Sequence, residues 1–209
     1  MRWLALLILT ATLARAEGEQ AGTFDYYILA LSWSPSWCAL EGDARRSPEC
    51  KDGAGYGWLL HGLWPQYERG WPSYCPTAQE NPSRADTAAM VDIMGSPGLA
   101  WYQWKKHGRC TGLTAQAYFD TARRAYATVN RPKLFRKLPG AVKLPAAVVE
   151  EAFLQANPDW RPDMITITCK GGRLQEARIC LTRALEPRAC GADAIADCRM
   201  QDALMDAIR

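Results

Sequence analysis

The only imidazoles in this chain of 209 residues are His61 and His107, and each stands in an unusual segment. A lone histidine in an apolar strand such as "HGLWPQ" is ordinarily a satisfied core residue. Here Gly62 beside His61 allows close backbone approach and Trp64 supplies a flat apolar face, so His61 is set up to meet a ligand. His107 closes the run "WYQWKKH". On a helix Gln103, Lys106 and His107 fall at i, i+3 and i+4, which puts an amide, a cation and an imidazole on one side. Trp101 and Trp104 flank that side, and a merely solvated stripe has no need of two indoles.

Two imidazoles and a lysine without a carboxylate cluster restrict the chemistry. Metal-assisted hydrolysis ordinarily uses three protein ligands, which leaves a zinc hydrolase built on two histidines as the weaker reading. Acyl transfer wants a Ser or Cys nucleophile beside a base, and the cysteines read as paired. Phosphodiester transfer in RNA needs only a base, an acid and a fixed positive charge, because the substrate's own 2′-OH attacks the phosphorus. One histidine takes the 2′-OH proton, the other protonates the 5′-oxygen, and Lys106 holds the phosphorane. That reaction uses no metal and no cofactor.

The elements that must position these groups can be read from periodicity. Thr23 to Pro35, rich in aromatic and β-branched residues, predicts a buried strand. Tyr56 to Tyr67, apolar on both sides, predicts a central strand whose ladder ends at Pro65. Glu68 to Ser83 holds three prolines and predicts a loop pinned by Cys75. From Arg84 the period becomes helical, with Ala88, Val91 and Met94 on one face, and Ser96-Pro97 starts a second helix that Gly108 stops. Leu113 to Asn130, capped by Thr114, and a segment from Pro145 to Asn157 predict two more helices. Two alternating runs around Gly171-Gly172 predict a hairpin. Strands separated by a helical middle, without strict alternation, indicate an α+β fold.

Lys and Arg number 25 and Asp and Glu 22. Arg2, the apolar run Leu4 to Leu13 and Ala14-Arg15-Ala16 read as an export signal with its cleavage site, giving residues 1–16 as a leader and 17–209 as a single domain. Its removal takes two arginines and no acid, leaving 23 bases against 22 acids, so a polyanion would have to be met by a local basic patch. The apolar run is half the length of a membrane span, and no membrane anchor is expected. Eight cysteines, Cys38, Cys50, Cys75, Cys110, Cys169, Cys180, Cys190 and Cys198, follow with no CxxC pair among them. They read as disulfides formed in an oxidising compartment, secreted or periplasmic, and their spacing leaves the pairing open.

The segments "HGLWPQ" and "WKKHGRC", in that order, resemble the two catalytic segments of the ribonuclease T2 family, and the late "CKGG…QEARICL…C…C" resembles that family's C-terminal hairpin. The resemblance implies a disulfide-stapled α+β fold with a central antiparallel sheet. It also implies a monomeric, exported endoribonuclease of low base specificity that cuts single-stranded RNA, and not DNA, through a 2′,3′-cyclic phosphate. Carried over by position, His61 resembles the general acid and His107 the general base, with Lys106 stabilising the pentacovalent phosphorus. Trp64 would lie against the ribose or base 5′ to the cut, and Gln66 would contact the base. The implied disulfides are Cys38–Cys50, Cys75–Cys110, Cys180–Cys190 and Cys169–Cys198. The family's second motif usually reads His-Glu-Trp-x-Lys-His, whereas this chain has Tyr102 and Gln103 in the first two places. Gln103 can donate an N–H to a phosphate oxygen without first being protonated, and Tyr102 can donate its O–H. The alternative reading is a member that keeps the fold, has lost rate, and binds RNA or a partner.

Overall fold

The computed structural model describes residues 19–209, so the expected leader, residues 1–16, lies outside the described residues. The first aromatic run forms β1 (Tyr26–Trp33). It stops before Pro35, because Ser34-Pro35 instead opens the short helix α1 (Ser34–Trp37), where a first-turn proline lacks no needed N–H. β2 (Trp58–Gln66) comes next, then α2 (Arg84–Ala88), α3 (Val91–Met94), α4 (Pro97–Lys106) and α5 (Ala115–Thr128). The remainder is β3 (Val142–Leu144), α6 (Ala146–Ala156), β4 (Ile165–Lys170), β5 (Arg173–Leu181) and β6 (Ala203–Met205). The strands make one sheet in the order β2-β1-β5-β6-β3, with β4 paired to β5. Pairing is antiparallel except for β5 with β6. This is the expected α+β architecture, and Gly171-Gly172 makes the expected hairpin turn with φ of +55° and +77°.

One strand lies elsewhere than the sequence suggests. β2 was expected at the centre of the sheet and is its edge, and Pro65 sits inside the ladder opposite Tyr27 rather than ending it. An edge strand tolerates proline because one row of its N–H groups has no partner strand. The edge is covered from α5, where the Tyr118 hydroxyl donates to the Leu63 carbonyl (3.0 Å) and the Tyr126 hydroxyl to that of Trp58 (2.9 Å). Helical cover makes an edge strand read as apolar on both sides.

The helices need three corrections. The segment after Arg84 breaks into α2 and α3 at Ala89-Met90, which resets the phase, so Thr87, Met90, Ile93 and Met94 are buried and Ala88 is exposed. α4 is capped by Ser96 as expected but ends at Lys106, and Gly108 enters a 3-10 turn through Thr111; the left-handed residue is Gly112, at φ +76°. The packing stripe of α4 is Ala100, Gln103, Trp104 and His107, the i, i+3, i+4, i+7 pattern of a buried helix face. Trp101 lies off that stripe and is exposed, so of these two only Trp104 is a core indole. In α5 the Ala117 N–H donates to the Thr114 hydroxyl at 3.2 Å, the expected cap.

The main core lies on one side of the sheet, and Tyr26, Ile28, Ala30 and Cys180 form a smaller buried cluster apart from it. Leu29 and Leu31 of β1, Leu60 and Leu63 of β2, and Ala177 and Ile179 of β5 join Trp104, Tyr118 and Phe153 in the main core. The chain is bridged at Cys38–Cys50, Cys75–Cys110, Cys169–Cys198 and Cys180–Cys190, the pairs implied by the resemblance. A β-carbon added at Gly108 would fall 2.6 Å from the Trp104 ring and 2.8 Å from that of Tyr118. Gly108→Ala is therefore expected to lower stability by about 1–3 kcal/mol, the cost of overpacking a close-packed site. Thermal unfolding checks this, and an unchanged melting temperature would contradict the packing role.

Candidate active site

Between Ala30 and Leu31 of β1 the pairing skips one residue of β2: Ala30 faces Gly62, Leu31 faces Leu60, and His61 is the extra residue. A bulge of this kind turns two successive side chains toward the same side of the sheet. His61 thereby joins Gly62, Trp64 and Gln66 on the side away from the core, which regular alternation would have denied it. Gly62 is required there, since a β-carbon would collide with the Gln103 amide and the Trp64 indole nitrogen.

Trp64 links the two imidazoles. Its ring is stacked on His107 (centroids 5.2 Å apart, planes at 26°) and meets His61 edge-on at 5.3 Å. Its Nε1–H donates to the Gln103 Oε1 at 2.8 Å. The end of α4 is fixed independently: the Tyr74 N–H donates to the Lys106 carbonyl (2.8 Å), and Cys75–Cys110 ties the preceding loop to the chain just past His107.

The two histidines sit in opposite surroundings. His61 Nδ1 is 2.5 Å from Oε1 of Glu176 on β5, and the other oxygen of that carboxylate accepts from Arg178 (2.8 Å from Nε). Burial pushes the Glu176 carboxyl up, but the His61 contact and the Arg178 guanidinium outweigh it and carry it down to about 2. Its two partners therefore favour the carboxylate form of Glu176. His107 is 5% exposed and its Nδ1 is buried without a hydrogen-bond partner. Burial first, then the Lys106 ammonium and His61, push His107 down from its ordinary 6.5 to about 3. One imidazole lies against a buried anion and the other is held neutral.

All seven sequence-derived residues meet at one cavity of about 400 Å³: His61, Trp64, Gln66, Tyr102, Gln103, Lys106 and His107. Gln103 and Gln66 are buried, and Gln66 Nε2 donates to the Pro65 carbonyl at 3.0 Å. Tyr102 is 44% exposed, 6.0 Å from Lys106 Nζ by its ring centroid and 3.5 Å by its hydroxyl from the Tyr74 hydroxyl. Glu176, Arg178, Gln175 and Trp71 also line the cavity, and sequence reasoning missed them. The available signal was a charged pair at i and i+2, Glu176 and Arg178, in the second run of the hairpin. A second cavity of about 680 Å³ adjoins the first, sharing His61, Tyr102, Gln175 and Glu176. Among the described residues one donor group converges as a metal site would, Cys38, Glu49 and Cys50, but its two sulfurs are joined to each other, which leaves one carboxylate.

Residues 24–190 match the sequence model of the Ribonuclease T2 family. Over 108 residues the chain is 42% identical to a ribonuclease of Aeromonas hydrophila, covering 52% of this chain and 47% of the relative. It is 28% identical over 145 residues to ribonuclease I of Escherichia coli (strain K12), covering 50% of this chain and 54% of that one. The chain thus spans about half the length of these curated relatives. In fold it is similar to the RNase-related protein from Calystegia sepium, with a TM-score of 0.66 at 19% identity over 88% of this chain and 97% of that one. It is similar also to RNase NT crystallised with 5′-AMP, with a TM-score of 0.63 at 19% identity over 89% and 98%.

The depressed His107 sets a sign for stability against pH. Between about 6.5 and about 3 the unfolded chain binds a proton at this residue that the folded chain does not, so acidification through that window costs stability. Wild type should lose more melting temperature than His107→Gln between about pH 7 and about pH 5, above the range in which ordinary carboxylates titrate. Parallel losses would show that His107 is not held neutral.

Proposed function

The chain belongs to the ribonuclease T2 family, and on that premise we propose that it is an exported endoribonuclease that cuts single-stranded RNA by 2′-OH transphosphorylation. The observation that carries this reading is the contrast between its two imidazoles beside one lysine. His107, pushed down by burial, is the neutral base that takes the 2′-OH proton. The 2′-oxygen then forms its bond to phosphorus, and Lys106 stabilises the charge that gathers on the phosphorane oxygens. His61, with Nδ1 occupied by Glu176, offers Nε2 to the 5′-oxygen and transfers its proton as the P–O5′ bond breaks. The products are a 2′,3′-cyclic phosphate and a free 5′-hydroxyl, with no metal in the balance.

Other residues have supporting parts. Trp64 and Gln66 flank the sugar and base 5′ to the cut, and Gln103 and Tyr102 donate as neutral groups at the phosphate. The disulfides suit an oxidising location, secreted or periplasmic. Among the described residues no helix is long and apolar enough to cross a membrane.

An oligonucleotide with a single ribonucleotide in a deoxy background should be cut only 3′ to that sugar, equally well in EDTA. His61→Ala and His107→Ala should each lower kcat by roughly 10²–10⁴, the usual worth of a positioned acid or base. Cleavage of all-DNA substrate, or a near-normal rate in either variant, would refute the mechanism. Intact RNA after incubation with wild type would favour the binding-only alternative.

A further inference from the structure

The mechanism uses His61 and leaves unexplained why a carboxylate lies beneath it. Glu176 is 2% exposed, on a strand whose next residue, Ala177, is fully buried, and an apolar side chain would satisfy the sheet at lower desolvation cost. Both of its oxygens are committed, Oε1 to His61 and Oε2 to Arg178. The strand is also shaped for this contact. Between Thr168 and Cys169 of β4 the pairing skips Gln175, a second bulge immediately before Glu176. Glu176 faces Ser32 of β1, while Arg178 faces Ala30, the residue that also faces Gly62 beside His61.

We infer that Glu176 is a positioning residue for His61, fixing its ring by Nδ1 and setting a negative charge beside it, and that Arg178 moderates that charge by sharing the same carboxylate. The inference rests on the acid role proposed for His61. In the donor step Glu176 takes no proton. The proton leaves His61 Nε2 for the 5′-oxygen, and the neutral ring keeps its Nδ1–H on the carboxylate. Arg178, partly exposed and 5.3 Å by its guanidinium carbon from the Trp64 ring centroid, draws charge from Glu176 on the side away from His61. Other charged or titratable groups also face His61. Tyr102, Lys106 and His107 come from the α4 side, Glu41 and Glu49 from the loop around Cys38–Cys50, and Lys170 from the end of β4. Glu41 is itself taken up by Lys170 and Arg45, and Glu49 by the Ser34 hydroxyl, so Glu176 is the anion in direct contact with the ring.

Two substitutions with opposite effects test this. Glu176→Gln keeps an acceptor for Nδ1–H but removes the charge, and should move the alkaline limb of the kcat profile about 1 pH unit lower, the effect of losing one adjacent opposite charge. KM should stay near wild type and Glu176→Asp should restore much of the limb. Arg178→Ala leaves the carboxylate to His61 alone and should move the same limb higher. Because the chain has two histidines, their imidazole Hε1 resonances form a two-signal set that His61→Ala assigns, and the His61 titration should move as the limb does. Limbs and titrations that stay put in both variants, or move the same way, would overturn the inference. A wild type that does not cleave RNA would overturn the proposed function instead, and the two resonances would still decide whether Glu176 governs His61. Were Glu176→Gln not to fold, Arg178→Ala gives the same decision from the partly exposed side, an unmoved His61 resonance counting against the inference.

Discussion

β1 is hydrogen-bonded along both of its edges, to β2 and to β5, and the two-residue period of these strands decides which side chains reach the core and which the cavity. A slip of one residue in the β1–β5 pairing would carry Glu176 and Arg178 into the cluster around Trp104, and one in the β1–β2 pairing would carry Trp64 and Gln66 there and turn leucines toward the cavity. The strong apolar set on one face therefore fixes the register of the polar set on the other. The two bulges add to this pattern without breaking it. Leu60 and Leu63 stay in the core although three apart, as do Leu174 and Ala177, and the extra residues between them deliver His61 and Gln175 to the cavity. A sheet built for burial thus presents more functional side chains on one face than strict alternation allows.

The same frame separates the behaviour of the two histidines. His107 belongs to the buried stripe of α4, so its neutrality follows from helix packing, with Lys106 one residue earlier reinforcing it through charge. His61 stands on a strand among uncharged neighbours, and the groups that set its environment arrive from β5 by sheet pairing. A single buried carboxylate would be costly alone, and the His61 ring and the Arg178 guanidinium on its two oxygens offset that cost. Trp64 keeps the arrangement rigid by touching both imidazoles while its nitrogen is held by Gln103.

How much of this was legible follows from the range of each interaction. Local signals carried well: Thr114 caps its helix, Gly171-Gly172 turns its hairpin, and the spacing of Gln103, Lys106 and His107 does place them at one cavity. Glu176 could not be found in this way, since it lies 115 residues from His61 and reaches it only through the pairing of three strands and two bulges. The edge position of β2 was hidden because helical cover and a second strand produce the same apolar pattern. The break between α2 and α3 was hidden because each piece alone keeps a helical period. Also hidden was the contact by which the Gln103 carbonyl oxygen holds the Trp64 indole, which leaves the amide N–H as the group proposed to face the phosphate.

That last contact explains how the departures in the second motif fit the site. A glutamate at position 103 could accept from Trp64, but it would place a charge at a position only 1% exposed and its second oxygen would be desolvated. It would also bring an anion to the helix turn before His107, favouring the imidazolium that burial and Lys106 disfavour. A neutral amide keeps the bond to Trp64 and leaves His107 depressed. Tyr102 follows the same logic at the mouth, where its hydroxyl can donate and its ring lies beside Lys106. The site thereby keeps its one deep anion under His61 and its cations at Lys106 and Arg178. In a chain whose bases and acids nearly balance, this local separation of charge is what would draw the phosphate of the proposed RNA substrate to the cavity.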